Sequence, residues 1–155
     1  MTDTLHCFDS PLGPISVTAR NGAITGLHWR APTPDTDPPC PLLQQAETQI
    51  GEYFSGQRRS FDLPLAPQGS AFQIAVCDAI AAIPFGETRE YGALARDLGA
   101  SAQAVGRGCG GNPIPLLIPC HRVLGRQGLG GFSGAGGVET KVQLLRHEGA
   151  ASLLI

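Results

Sequence analysis

A chain of 155 residues, 42% of them hydrophobic, is long enough for one compact domain or a small pair with a core of its own. No apolar run approaches the ~20 residues of a membrane helix, and no basic stretch leads into an apolar one at the start, so neither a membrane helix nor a secretory leader is expected and a soluble cytoplasmic protein is the default expectation. Five cysteines at irregular spacing, with no CxxC pair, argue against a disulfide framework, a zinc ribbon and a dithiol redox site, and the net charge of −2 turns attention to where the charges lie.

In chain order, residues 4–30 alternate polar and apolar groups between turn signals at Ser10-Pro11 and Asn21-Gly22, the pattern of a β-meander or hairpin pair. The proline-rich stretch from Ala31 to Pro41 is a loop. Leu42, Leu43, Ala46, Ile50, Tyr53 and Phe54 then fall on one helical face ending at Ser55-Gly56, and Phe61 to Leu65 adds a strand. Residues 1–66 thus read as a small α/β module without catalytic signals. Ser70 caps a helix from Ala71 to Ile83 with Phe72, Val76, Ala79, Ile80 and Ile83 on its buried side and Pro84 as its stop; Cys77 reads as helix packing. A second helix runs from Glu90 to Leu98 and closes at Gly99, and Ser101 caps a third from Ala102 to about Cys109. Two short helices joined by a Gly-containing turn are the sequence form of a helix-turn-helix, and equally of an ordinary helical hairpin.

The third helix contains Gly106 and Gly108, and glycine costs a helix interior up to ~1 kcal/mol relative to alanine. Either another surface approaches this helix closely or it packs tightly on a neighbour, and the two can coexist on different faces. A last helix, Val138 to His147, carries Val138, Val142 and Leu145 at helical spacing beside Leu144. Glu148 follows in the final turn, where a carboxylate opposes the helix dipole unless a cation faces it.

Between these helices, Asn112 to Val123 delivers a thiol, an imidazole and a guanidinium at consecutive positions, Cys120, His121 and Arg122. Pro113, Pro115 and Pro119 hold the segment extended or turned. An imidazole or a positive charge nearby lowers a thiol's pKa and makes it a strong nucleophile. Adjacent residues on a strand point to opposite faces, so Cys120 and His121 cooperate only if the backbone bends beside Pro119 or a water bridges them. Taken alone, the pair also reads as a buried cysteine with an incidental histidine. Charge is distributed unevenly: residues 1–84 hold four arginines against eight acids, whereas Gly99 to Gly131 holds Arg107, Arg122 and Arg126 and no acid.

The run Pro119-Cys120-His121-Arg122-Val123 resembles the signature of the O6-alkylguanine-DNA alkyltransferases, or methylated-DNA–protein-cysteine methyltransferases. The likeness extends from about Ser70 to Gly149, through Phe85-Gly86, Tyr91-Gly92, Ala104-Val105-Gly106, Asn112-Pro113, the Gly131-to-Gly134 loop and Leu144-to-Gly149, and Asp9-to-Gly13 resembles the family's first strand. It implies an α+β fold, with a small N-terminal β-sheet/helix module over 1–66 and a mostly helical DNA-binding and alkyl-transfer domain with a helix-turn-helix over 67–155. It also implies a monomer that needs no cofactor and acts on double-stranded DNA containing O6-alkylguanine, and on O4-alkylthymine. Some relatives hold a structural zinc in the N-terminal part, but the spacing of His6, Cys7, His28 and Cys40 does not match their ligands, so no metal is expected.

By the same resemblance, Cys120 is the nucleophile and His121 removes its proton with Glu148 orienting the ring. Tyr91 serves the purine ring nitrogen and Asn112 ties the active-site loop together. Ala102, Gln103, Ala104, Gly106 and Arg107 belong to a recognition helix in the minor groove; Arg122 and Arg126 add charge; backbone groups near Cys120, Val123 and Ser133 read the extruded base, against a wall formed by residues 130–134. Gln103 stands where the family has an arginine that fills the hole left by that base, and a glutamine has less reach and no charge, which implies weaker extrusion. Three rival readings remain: a lesion-recognition protein that does no chemistry, whose known examples lack the reactive cysteine; a thiol hydrolase, which would need an oxyanion motif absent before Cys120; and a redox-sensing thiol protein. One alkyl group gained on Cys120 separates the transferase from all three.

Overall fold

The computed structural model describes residues 4–30, 40–126 and 137–150. It divides into two compact units, Met1–Pro67 and Gln68–Ile155. In the first, β1 (Thr4–Ser10), β2 (Gly13–Arg20) and β3 (Ala23–His28) form an antiparallel sheet in sequence order. Asn21 and Gly22 have φ of 55° and 80°. A two-residue hairpin loop with both central residues left-handed is what Asn-Gly supplies. Ile15, Val17, Ala19, Ile24 and Leu27 are buried with Leu43, Ala46, Ile50 and Tyr53 of α1 (Pro41–Phe54).

The strand expected over Phe61 to Leu65 is reduced to a single bridge, Leu65 beside Ile24, where the Ile24 N–H donates to the Pro64 carbonyl at 2.8 Å. Pro64 and Pro67 have no N–H to extend a ladder. The buried Gln49 engages Asp62 instead, its amide donating to the Asp62 carbonyl at 3.2 Å and its oxygen accepting the Asp62 N–H at 2.9 Å.

The second unit holds α2 (Ala71–Ala81), α3 (Tyr91–Leu98), α4 (Ala102–Gly110) and α5 (Val138–Glu148), with two-residue strands β4 (Arg89–Glu90) and β5 (Val123–Leu124) paired in parallel. Ser70 and Ser101 cap α2 and α4 by accepting the N–H groups of Gln73 and Ala104. Gly99, left-handed at φ 64°, ends α3, so α3 and α4 form the helix-turn-helix of an α+β protein. Among the described residues, no helix is long and apolar enough to cross a membrane.

One expectation about a buried face fails. Phe72 is 38% exposed, because the inward stripe of α2 is Gln73, Val76, Cys77 and Ile80, and Phe72 lies about 100° around the helix from Gln73. Val138 is 44% exposed, because α5 turns Lys141, Leu144, Leu145 and Glu148 inward.

The two glycines of α4 have different reasons. A Cβ on Gly108 would stand 2.9 Å from Val76 of α2, and the Gln73 side chain donates to the Gly108 carbonyl at 2.8 Å, so this glycine sets the approach of two helices. A Cβ on Gly106 would meet nothing within 4 Å among the described residues. Gly106→Ala should therefore raise thermal stability by up to ~1 kcal/mol through helix propensity. Gly108→Ala should lower it by ~1 kcal/mol or more because Val76 must move. Equal effects in thermal unfolding would contradict this division.

Candidate active site

Asn112 organises the segment that follows α4. Its amide nitrogen donates to the Ile118 carbonyl at 2.8 Å and its oxygen accepts the Ile114 N–H at 3.0 Å, so one buried side chain closes the loop. Inside it Leu116 is left-handed at φ 75°. That conformation costs a non-glycine residue about 1–2 kcal/mol, less than the roughly 1.5–3 kcal/mol released by each of the buried side chains Ile114, Leu116 and Ile118. Burial wins, and the tight turn persists.

Pro119, at φ −81° and ψ 66°, is the centre of an inverse γ-turn in which the Cys120 N–H donates to the Ile118 carbonyl at 2.8 Å. A 3₁₀ turn over Cys120–Arg122 follows at once, closed by the Arg122 N–H on the Pro119 carbonyl. The backbone therefore bends beside Pro119, and Cys120 and His121 escape the alternation of a strand.

His121 is fully buried, and its Nε2 lies 2.7 Å from Glu148 Oε2. The carboxylate accepts there, so Nε2 carries the ring proton and the lone pair is on Nδ1, a buried atom with no hydrogen-bond partner among the described residues. Burial holds the imidazole below its ordinary pKa, against the pull of Glu148, and so keeps it neutral. Glu148 also takes the Arg122 guanidinium on both oxygens, at 2.8 and 3.0 Å, while another Arg122 nitrogen donates to the Ile83 carbonyl at 2.6 Å. The cation that Glu148 needs at a helix C-terminus is thus Arg122 more than an imidazolium.

Burial pushes the Cys120 thiol up to about 11; a hydrogen bond from Asn112 and the charge of Lys141 act against it. Lys141 is fully buried on α5, its Nζ donating to the Val123 carbonyl at 2.7 Å and lying 5.7 Å over the Tyr91 ring. Burial lowers its pKa to about 8, opposed by Cys120 and Cys109. The Tyr91 phenol is pushed up to about 12, by burial first and then by the same two thiols. Pairing of Arg89 with Val123 and of Glu90 with Leu124 fixes Tyr91, at the start of α3, beside the turn that carries Cys120.

Cys120 and Lys141 act on each other through their charges, so they titrate as a coupled pair with a defined pH response. The reactive combination, thiolate with ammonium, belongs to the state that has lost one proton, which fills as pH rises through about 8 and persists to about 11. The single-turnover alkylation rate of Cys120 should climb through about pH 8 and then level off. In Lys141→Met the cation is gone, so the rise should move toward the thiol's own range, with a lower rate at neutral pH. Identical profiles for the two proteins would remove Lys141 from the activation of Cys120.

The remaining predicted residues do not all fall together. Tyr91, Ala102, Gln103, Gly106 and Arg126 share a groove of about 630 Å³ with Glu90, Gly92 and Arg96. Ala104 is half-buried and Arg107 exposed, both on α4 outside that lining. Arg122, expected on the DNA face, is a correction: it is buried and committed to Glu148. Val123 is fully buried with its carbonyl taken by Lys141, so it is poorly free to read a base. Ser133 and the loop 130–134 lie outside the described residues.

Lys141 is the residue that sequence reasoning missed. Its signal was present, a lysine at i, i+3, i+4, i+7 with Leu144, Leu145 and Glu148, on what is the inward face of the last helix.

The comparisons agree with this geometry. Residues 5–67 match the model of the 6-O-methylguanine DNA methyltransferase ribonuclease-like domain, and residues 71–150 that of the corresponding DNA binding domain. The methylated-DNA–protein-cysteine methyltransferase of Methanosarcina acetivorans is 36% identical over 92% of this chain and 96% of its own length. The constitutive enzyme of that name from Bacillus subtilis is 35% identical over 90% and 92%. Among solved structures, Mycobacterium tuberculosis OGT in complex with DNA superposes with a TM-score of 0.82 at 39% identity, covering 94% of this chain and 92% of that one. With Cys120 and His121 on a bent loop, Glu148 of α5 bonded to that histidine, a helix-turn-helix in the same unit and relatives alike over nearly their whole length, the chain belongs to the methylated-DNA–protein-cysteine methyltransferase family.

Proposed function

We infer that this protein repairs double-stranded DNA by taking the alkyl group from O6-alkylguanine and keeping it on Cys120. The observation that carries the reading is Cys120 on the bend beside His121, with Nε2 of that imidazole held by Glu148 and Nδ1 left to receive a proton. The thiol proton passes through a bridging water to Nδ1, sulfur attacks the alkyl carbon in line, and the carbon–oxygen bond breaks with its electrons going to the purine. Tyr91, a phenol that burial keeps protonated, donates to the purine ring nitrogen so that guanine leaves neutral, and the imidazolium proton makes good the phenol. Lys141 favours the thiolate electrostatically. Asn112 and Glu148 act as positioning residues.

The target carbon is unreachable inside stacked duplex, so the nucleotide rotates out, at a cost of a few kcal/mol. Ala102, Gln103 and Gly106 form the face of α4 against the minor groove, with Gln103 in the space the base vacates. A thioether is too poor a leaving group for water to restore the thiol, so each molecule acts once, on O4-alkylthymine as on O6-alkylguanine. The chemistry and the DNA contacts belong to residues 67–155, with 1–66 as a supporting module, a division supported by the two compact units and the two family matches. The protein works as a cytoplasmic monomer, where a reducing environment keeps Cys120 a thiol.

The test is intact-protein and peptide mass spectrometry after incubation with duplex O6-methylguanine DNA. One methyl group on Cys120 and one lesion lost per molecule are expected. Sustained turnover contradicts the single-use chemistry, and tight binding with no mass change would favour the lesion-recognition alternative.

A further inference from the structure

The groove between α3 and α4 carries a charge pattern that the reaction does not explain. Arg96, on α3, and Arg126, just after β5, both line it, and Gln103 lines it with them. Neither guanidinium has a hydrogen bond or ion pair among the described residues, whereas Arg58, Arg89 and Arg122 are each tied to a carboxylate. Both side chains are exposed. Glu90 is the one acid in the lining, so two positive charges stand against one negative. Much of the remaining wall is Gly92, Ala102 and Gly106, with little or no side chain, and the open space at Gly106 shows that no packing within the described residues requires a glycine there.

We propose that Arg96 and Arg126 form a clamp that grips DNA phosphates beside the gap that Gln103 fills when the nucleotide is extruded. The proposal rests on the function inferred above and adds to it the residues that bring charge to a groove whose central side chain is neutral. A guanidinium presents a planar fork that matches two phosphate oxygens, and a wall of small residues lets a sugar-phosphate strand lie close enough for that geometry. Arg107, on α4 but outside the lining, is not part of the clamp.

The experiment measures binding of an undamaged duplex oligonucleotide by fluorescence anisotropy across a salt series, for the wild type and for Arg96→Gln, Arg126→Gln, Arg96→Lys and Arg126→Lys. Each lost phosphate contact lowers the steepness of log K against log salt by ~0.9, so each glutamine variant should lose nearly one unit of slope and bind several-fold more weakly at low salt. The lysine variants keep the charge and should restore most of the slope. Unchanged slopes in both glutamine variants overturn the clamp, as does a loss that lysine does not restore, which marks a structural role. A separate arm incubates the wild type with duplex O6-methylguanine DNA and measures the mass of the protein. If Cys120 gains no methyl group there, the function itself is wrong; if it gains one while the slopes stay unchanged, only the clamp falls.

Discussion

Cys120→Ser should abolish alkyl transfer, by at least about 10³-fold, while the protein keeps its fold and its affinity for duplex DNA. A serine hydroxyl is far less acidic than a thiol, and in a site where burial already lifts the thiol to about 11 the oxygen stays protonated. Sulfur is also the softer atom for displacement at a saturated carbon. On the inferred binding mode DNA lies against the outer face of α4, and Cys120 is 4% exposed, so the substitution removes the nucleophile without altering that surface. Single-turnover loss of O6-methylguanine, measured beside duplex binding, checks both halves. Transfer by the serine variant would show that the acceptor is another thiol. Cys109→Ser identifies the rival directly: its thiol is pushed up to about 12, chiefly by burial, and the variant should retain most activity.

Glu148→Gln should produce the largest loss of stability of any single substitution in the site. The carboxylate, whose side chain is fully buried, takes both oxygens to Arg122 and one to His121. Glutamine fills the same space but removes the carboxylate charge that faces a buried guanidinium and turns an N–H₂ toward groups that can only donate. Breaking one side of a buried pair costs roughly 3–5 kcal/mol, because the partner's charge remains without compensation. Against a total stability of about 5–15 kcal/mol that is a large fraction, and the unfolding midpoint should fall by about 10 °C or more. Transfer should also drop at least about tenfold at a temperature where the variant is folded, since His121 loses the group that fixes its tautomer. A midpoint within a degree or two of wild type would mean that the Arg122–Glu148 pair is solvated in solution.

Much of the fold could be read from local chemistry, and what could not shares one physical cause. Ser70, Ser101, Gly99 and the Asn21-Gly22 turn each satisfy a backbone requirement that neighbouring residues define, and each lies where its chemistry predicts. The bend at Pro119 was legible for the same reason. Arg122 was not, because whether an arginine faces DNA or a buried carboxylate depends on a glutamate on the last helix. Lys141 was not, because a lysine on an apolar stripe makes sense only once Val123 and Tyr91 are brought to it. Phe72 was assigned inward by hydrophobicity, yet the inward stripes of α2 and α5 include Gln73, Lys141 and Glu148, polar side chains whose partners lie on other elements.

The bond between His121 and Glu148 spans a sequence separation of 27 residues. During synthesis the cysteine therefore leaves the ribosome well before the residue that orients its base. Until α5 has emerged and docked, the imidazole has no fixed tautomer, and without Lys141 the thiol lacks its cation. The Cys-His-Glu arrangement is thus complete only when the C-terminal helix has folded, so a nascent or truncated chain that ends before Glu148 carries the cysteine without the group that orients its neighbouring imidazole.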